Sequence, residues 1–230
     1  MKYSVVIPAA GQGKRMNAGK NKQFIMLDEK PIIVHTISVF QSDKNCEEIV
    51  LAVNEREHED FHLLIREYNL TKVTRVVTGG RERQQSVYEG LKALDGEKVV
   101  LIHDGARPFF TLDMASSLAE AASTYDGAVV AVPVKDTVKQ VSDLKVDKTI
   151  DRSSLWAVQT PQAFRLSIIK DIHRWAEENN IVGTDDASLV EMNGRTVKII
   201  PGDYWNVKLT TPEDLIFARA ILREKKESGS

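Results

Sequence analysis

The chain has 230 residues, enough for one domain of ordinary size with a buried core. Apolar residues make up 42% and charged residues 28%, the proportions of a folded globular protein, which excludes disordered, collagenous and low-complexity classes. Thirty-one Lys and Arg against 33 Asp and Glu leave a formal charge of −2, so neither nucleic acid nor an anionic membrane is attracted globally, and any polyanion site must be local.

The opening apolar run is a β-branched strand, residues 3–7, and Pro8 and Gly11 cut it well short of a signal-peptide core. Further strands are read at 48–53, 72–77 and 98–102, with helices at 31–40, 55–68, 83–94 and 112–125 between and after them. Such alternation implies right-handed βαβ crossovers and a mainly parallel sheet with helices on both faces, a Rossmann-like α/β fold. A strand at 128–134 follows, and then the rhythm breaks. Residues 137–141 and 146–150, separated by Ser142-Asp143, read as a polar antiparallel arm within about 136–155. An isolated hairpin is marginal in water, so the arm leans either on its own domain or on a second subunit. Helices at 167–178 and 185–191, strands at 196–200 and 206–209, and a closing helix at 212–226 complete a single predicted domain. Thr211-Pro212-Glu213-Asp214 opens that last helix with a hydroxyl cap, proline in first position and acids in the first turn. Cys46 is the only cysteine, so no intrachain disulfide or Cys-x-x-Cys site exists; this, with no run of membrane-spanning length, leads to the expectation of a cytoplasmic protein without membrane or nucleic-acid partners.

The loop after the first strand, Pro8-Ala9-Ala10-Gly11-Gln12-Gly13-Lys14-Arg15-Met16, carries the most chemistry. It is not a P-loop, because Arg15 follows Gly13-Lys14 where a hydroxyl residue is required, nor a dinucleotide fingerprint, because Met16 stands at the third glycine position. Small residues still let backbone N–H groups approach an anion at the carboxyl end of a strand, where open α/β sheets bind ligands. Lys14, Arg15, Lys20 and Lys22 place four positive charges within nine residues. A basic loop facing solvent is the plain alternative; the Pro-Ala-Ala-Gly approach favours phosphate binding.

Together with Lys22-Gln23, this loop resembles that of the alditol-phosphate nucleotidyltransferases. The likeness extends through His103-Asp104-Gly105-Ala106-Arg107-Pro108, Val134-Lys135-Asp136-Thr137-Val138-Lys139, Asp151-Arg152, Gln159-Thr160-Pro161-Gln162, Thr184-Asp185-Asp186-Ala187 and Asn206-Val207-Lys208-Leu209-Thr210. These six blocks, in order, resemble the methylerythritol-phosphate branch of the cytidylyltransferases more closely than the ribitol-phosphate branch. The resemblance implies transfer of CMP from CTP to 2-C-methyl-D-erythritol 4-phosphate, with release of pyrophosphate and a Mg2+ requirement. It implies Arg15 and Lys22 on the triphosphate, and Arg152 and Lys208 orienting the incoming phosphate with Thr137 and Arg107 nearby. Ala9, Ala10, Gly11, Gly13 and Lys14 would wrap the nucleotide; Gly80 and Ser86 would read the base, with Ala106 also in the substrate site. Asp104, at the end of the fourth strand, would meet magnesium or a substrate hydroxyl, although most of the ion's ligands would be triphosphate oxygens. Since Arg152 and Thr137 flank or lie on the arm, the resemblance further implies a homodimer joined through it.

Two rivals compete. His58-Glu59-Asp60-Phe61-His62 fits the zinc-hydrolase pattern His-Glu-x-x-His on a predicted helix, though the run also reads as the hydrated face of a crossover helix. A non-catalytic nucleotide sensor would keep the first loop and have no use for Arg152, Lys208 and Thr137.

Overall fold

The structure, a computed structural model, describes residues 1–11 and 21–227. One seven-stranded sheet organises it, in the order β11-β7-β10-β6-β1-β4-β5. In chain order these are β1 (Tyr3–Pro8), β4 (Cys46–Val53), β5 (Val73–Thr78), β6 (Val99–Ile102), β7 (Gly127–Pro133), β10 (Trp156–Arg165) and β11 (Val197–Pro201). Neighbours pair in parallel except β10, which runs antiparallel to both β6 and β7. Short strands β2 (Met26–Leu27) and β3 (Lys30–Pro31) form one small ribbon, and β8 (Val138–Ser142) with β9 (Lys145–Ile150) forms the other.

Strand alternation divides the core into two layers. Tyr3, Val5 and Ile7 of β1 and Ile49, Leu51 and Val53 of β4 face α1 (Ile32–Ser42), α2 (His58–Glu67) and α4 (Leu112–Thr124). Val6 and Val50, on the opposite face, meet α3 (Arg83–Lys92), α5 (Leu166–Glu178) and α6 (Asp186–Met192). Period-two alternation in strands buried on both sides produces this division, as βαβ crossovers require. Helix α3 lies close on β1: a Cβ at Gly90 would come within 2.5 Å of Val6 Cγ1, so only glycine fits there. The last helix, α7 (Pro212–Glu227), closes a third, smaller cluster through Ala218 against Leu27, Ile32, Phe109 and Leu209.

Two predicted features are corrected. The sequence reading places no strand between 150 and 167, yet the ten residues of β10 lie at the centre of the sheet. Pro161 cannot donate to a ladder, and pairing with β7 is interrupted between Val158 and Gln162, which hides the strand from a pattern search. Residues 206–209, read as a strand, form none. Side-chain amides hold them instead: Asn206 Nδ2 donates to Gln159 Oε1 at 3.1 Å and to the Thr160 carbonyl at 2.9 Å. The Leu209 amide donates to the Ala106 carbonyl at 2.8 Å.

The arm is as polar as expected. Its turn is Asp143-Leu144, both with positive φ (50° and 61°), one residue beyond the predicted turn. Leu144 is 99% exposed.

Candidate active site

Strand β1 is followed in the sheet by β4 on one side and flanked by β6 on the other, so the loops leaving β1 and β6 diverge at a topological switch point, where open α/β sheets bind ligands. A pocket opens there. From the first loop it takes Ala10, Gly11 and Lys22, from the loop after β6 Asp104, Gly105 and Ala106, and from the start of α3 Gly80, Arg83 and Ser86; Lys208 completes it. Close approach of small residues joins the first loop to the segment before α3: a Cβ on Gly79 would fall 2.7 Å from Ala10 Cβ.

Each wall has a visible support. The buried Asn21 donates through Nδ2 to the Ala9 carbonyl at 3.0 Å and to Glu57 Oε2 at 2.7 Å, which fixes the end of the first loop just before Lys22. Lys22 Nζ donates to the Leu209 carbonyl at 3.3 Å, so the two predicted cations Lys22 and Lys208 arrive from opposite ends of the chain. Ser86 is buried, and its hydroxyl accepts from the Gly80 amide at 3.1 Å. That bond shapes the Gly79-Gly80 turn and presents its backbone toward the cavity.

Asp104 is the electrostatic centre. Lys208 Nζ stands 2.6 Å from Oδ2, Arg83 Nε donates to Oδ1 at 3.0 Å, and Arg107 Nε lies 3.9 Å away. Burial by itself would raise the carboxyl's pKa, but Arg83, Lys208 and Arg107 together outweigh it and hold the group far below the ordinary carboxylate range. Asp104 is therefore an anion held among cations. The expectation that it binds Mg2+ does not suit this donor set, since both oxygens already meet cationic groups. Nor does any group of three or more His, Cys, Asp or Glu among the described residues stand ready to hold a metal ion.

Behind Asp104, the buried His103 fixes the backbone. Its Nε2 meets the Arg107 carbonyl at 2.9 Å and its Nδ1 the Thr160 hydroxyl at 3.1 Å, while the Asp104 amide donates to that same hydroxyl at 3.0 Å. A carbonyl accepts only, so Nε2 carries the proton and Nδ1 accepts from Thr160. Burial lowers the imidazole pKa to about 3, and the ring remains neutral in the folded protein.

The remaining predicted site residues are distributed unevenly. Gly13, Lys14 and Arg15 lie outside the described residues. Ala9 is buried and bonds β4 through its amide, with Ala10 and Gly11 rather than Ala9 on the pocket wall. Arg107 does not line the pocket; its Nη1 donates to the Asn206 carbonyl at 2.6 Å and braces the segment that carries Lys208. Thr137 and Arg152 are exposed on and beside the arm, away from this pocket, and Arg152 donates to the Lys135 carbonyl. His58 and His62 share one face of α2, with ring centroids 6.4 Å apart, and His58 Nε2 pairs with the Thr78 hydroxyl at 3.1 Å.

Arg83 escaped the sequence reading. A cation in the first turn of a helix opposes the helix dipole, and that anomaly is the signal that could have found it.

The chain matches, over residues 3–224, the family model described as "IspD: 2-C-methyl-D-erythritol 4-phosphate cytidylyltransferase". It is 58% identical to the protein of that name from Bacillus velezensis, covering 100% of this chain and 99% of the relative. It is 57% identical to the one from Geobacillus thermodenitrificans, covering 98% and 99%. Among solved structures, a 4-diphosphocytidyl-2C-methyl-D-erythritol synthase from Anaerococcus prevotii superposes with a TM-score of 0.84 at 32% identity, covering 96% of each chain. A 2-C-methyl-D-erythritol 4-phosphate cytidylyltransferase from Thermus thermophilus gives 0.82 at 30% identity, covering 97% of this chain and all of that one.

Proposed function

The chain belongs to the 2-C-methyl-D-erythritol 4-phosphate cytidylyltransferase family, and on that premise we infer that it transfers CMP from CTP to 2-C-methyl-D-erythritol 4-phosphate. The products are pyrophosphate and 4-diphosphocytidyl-2-C-methyl-D-erythritol, an intermediate of the non-mevalonate route to isoprenoids. The observation that carries the mechanism is the meeting of Lys22, Lys208 and Asp104 in one pocket at the switch point.

The attacking phosphate monoester has a second pKa near ~6 and is mostly dianionic at neutral pH, so no general base is needed. Repulsion is the obstacle: one pair of unit charges at ~4 Å costs about 4 kcal/mol at an effective dielectric of ~20, and several such pairs meet here. Fixed cations lower that barrier by position and charge. Lys22, with Arg15, stabilises the charge that builds on the α-phosphate and the departing pyrophosphate. Lys208 guides the incoming phosphate, and the neighbouring anion Asp104 keeps its ammonium in place between turnovers. Ala10, Gly11 and the Gly80 backbone line the nucleotide side. Magnesium is assigned to the nucleotide, whose phosphate oxygens bind it, and not to Asp104.

Arg152 and Thr137 complete the site only if the arm reaches a second copy. Val141, Leu144 and Val146 on the arm and Trp156 and Val158 at its base are all exposed apolar side chains, which supports a homodimer of single-domain subunits joined there. No helix among the described residues is long and apolar enough to cross a membrane, and a cytoplasmic location is proposed with the pathway.

A substrate panel tests the reading: methylerythritol phosphate against ribitol phosphate, each with the four nucleoside triphosphates and Mg2+, scored by pyrophosphate release. Release with CTP and methylerythritol phosphate is expected. Preference for ribitol phosphate, or no release with any pair, overturns it.

A further inference from the structure

Arg83 bridges two carboxylates that the fold brings together from distant parts of the chain. Its Nε donates to Asp104 Oδ1 at 3.0 Å and its Nη1 to Asp186 Oδ2 at 2.7 Å. Asp186 is 1% exposed and is held from behind by His173, whose Nε2 lies 3.2 Å from Oδ1. His173 is itself buried and stacked on Tyr88, with ring centroids 5.6 Å apart. The start of α6, which carries Asp186, is pinned by the fully buried Gln162: Nε2 donates to Asp185 Oδ2 at 2.7 Å and Oε1 accepts from the Ala187 amide at 3.1 Å. A rigid anchor therefore stands at one end of the guanidinium. At the other end stands Asp104, whose second oxygen meets Lys208 at 2.6 Å.

We propose that Arg83 is a positioning residue for the transfer reaction: it fixes the Asp104 carboxylate, and through it the Lys208 ammonium, at the mouth of the pocket. The inference rests on the functional reading above. A guanidinium is the group this task needs, because its planar fork reaches two carboxylates in set directions, whereas one ammonium acts as a point charge on whichever it meets first. Its third nitrogen, Nη2, is buried without a hydrogen bond among the described residues, so there the two carboxylates aim the fork. Without Arg83, Oδ1 of Asp104 has no cation among the described residues, and the carboxylate turns toward Arg107 and Lys208 and draws Lys208 away from the cavity. Lys208 serves the incoming phosphate, so the loss belongs to that substrate and not to CTP.

Arg83→Ala would strand a buried carboxylate at Asp186 and confuse folding with function. The double variant Arg83→Gln/Asp186→Asn removes both charges together and is the first test; Arg83→Lys, which retains the charge, is the second. Wild-type turnover is measured beforehand: its absence would defeat the functional reading and this proposal with it, whereas an active wild type with the wrong variant behaviour defeats this proposal alone. With an active wild type, the double variant should raise KM for methylerythritol phosphate at least ~10-fold while KM for CTP changes less than ~2-fold, and Arg83→Lys should fail to restore the former. An unchanged KM for methylerythritol phosphate, an equal loss for both substrates, or full rescue by lysine overturns the proposal. If the double variant does not regain the wild-type near-ultraviolet circular dichroism, Arg83→Lys alone decides the matter by the same KM criterion.

Discussion

The wall around Asp104 and the arm around Arg152 are built on opposite principles. At the wall, a buried anion is held by three cations, its backbone by a buried His103–Thr160 pair, and its neighbours by side-chain amides from Gln159 and Gln162. On the arm, β8 and β9 bury almost nothing; Arg152 and Thr137 are exposed, and the turn is tipped by a fully exposed leucine. Charges that must be aimed before substrate arrives stand on preorganised structure, where ordering is complete on folding. Charges on a two-stranded ribbon need another surface to fix them. The contrast divides the site into a part that one chain supplies unaided and a part that, on the proposed reading, a pair of chains completes.

The sharpest break of this division comes at the wall. Lys22→Ala should lower kcat at least ~10²-fold, the scale for losing a donor that acts on transition-state charge, and Arg15→Ala should do the same. Steady-state pyrophosphate release measures it; near-normal turnover in both variants would remove the first loop from the chemistry.

Arg152→Ala should act differently, raising KM for methylerythritol phosphate roughly 10-fold while CTP binding, measured by calorimetry, stays within ~2-fold. Mixing separates one chain from two. If the arm serves its partner, an inactive Lys22→Ala subunit and an Arg152→Ala subunit, randomly reassorted, recover about a quarter of wild-type sites at low methylerythritol phosphate concentration, because half the dimers are mixed and each has one intact site. No recovery means that the arm works on its own chain.

The same contrast governs what the sequence disclosed. The parallel strands were legible because β-branched runs punctuated by loops leave few alternatives, and Lys22 and Asp104 because a cation-rich loop and a lone acid at strand ends suit phosphate chemistry; Lys208 came from the family resemblance alone. Strand β10 was not legible, since Pro161 and flanking polar residues imitate a loop. The 206–209 segment alternates like a strand, but amide side chains rather than a ladder hold it, and no local pattern records a partner 46 residues away. Arg83 was hidden within a charged run, Arg81-Glu82-Arg83, that reads as solvated helix surface. Its partners lie 21 and 103 residues distant, so only the folded chain shows the bridge.

Acid should weaken the wall before the arm. His103 is neutral in the native state with a pKa near 3 but titrates near ~6.5 when unfolded, so between those values the unfolded chain binds a proton that the native chain does not. Stability therefore falls as pH falls, by up to about 1.4 kcal/mol per pH unit from this one group. Asp104 and Asp186, both held below their ordinary range by cations that outweigh burial, add losses of the same sign below pH ~4. Urea unfolding at pH 6.5 and 4.5 tests this, with nitrogen chemical shifts of the imidazole reporting whether His103 stays neutral. A ring that protonates above pH 5 in the folded protein would show that the wall is wetter and looser than its geometry.

The smallest effect lies at the tip of the arm. Leu144 holds φ at 61°, a left-handed conformation that costs an L-residue with a branched side chain on the order of 1 kcal/mol and costs glycine nothing steric. The turn alone gives no reason for leucine, and 99% exposure gives none within one chain. If the residue is kept for a partner surface, Leu144→Gly should relieve the turn yet weaken association, raising the dimer dissociation constant several-fold, as expected for losing a leucine side chain only partly buried at an interface. Sedimentation equilibrium across a dilution series measures it. Unchanged or tighter association would mean that the tip contacts no second copy, and the arm's dependence on a partner would then have to rest on its base, around Trp156 and Val158.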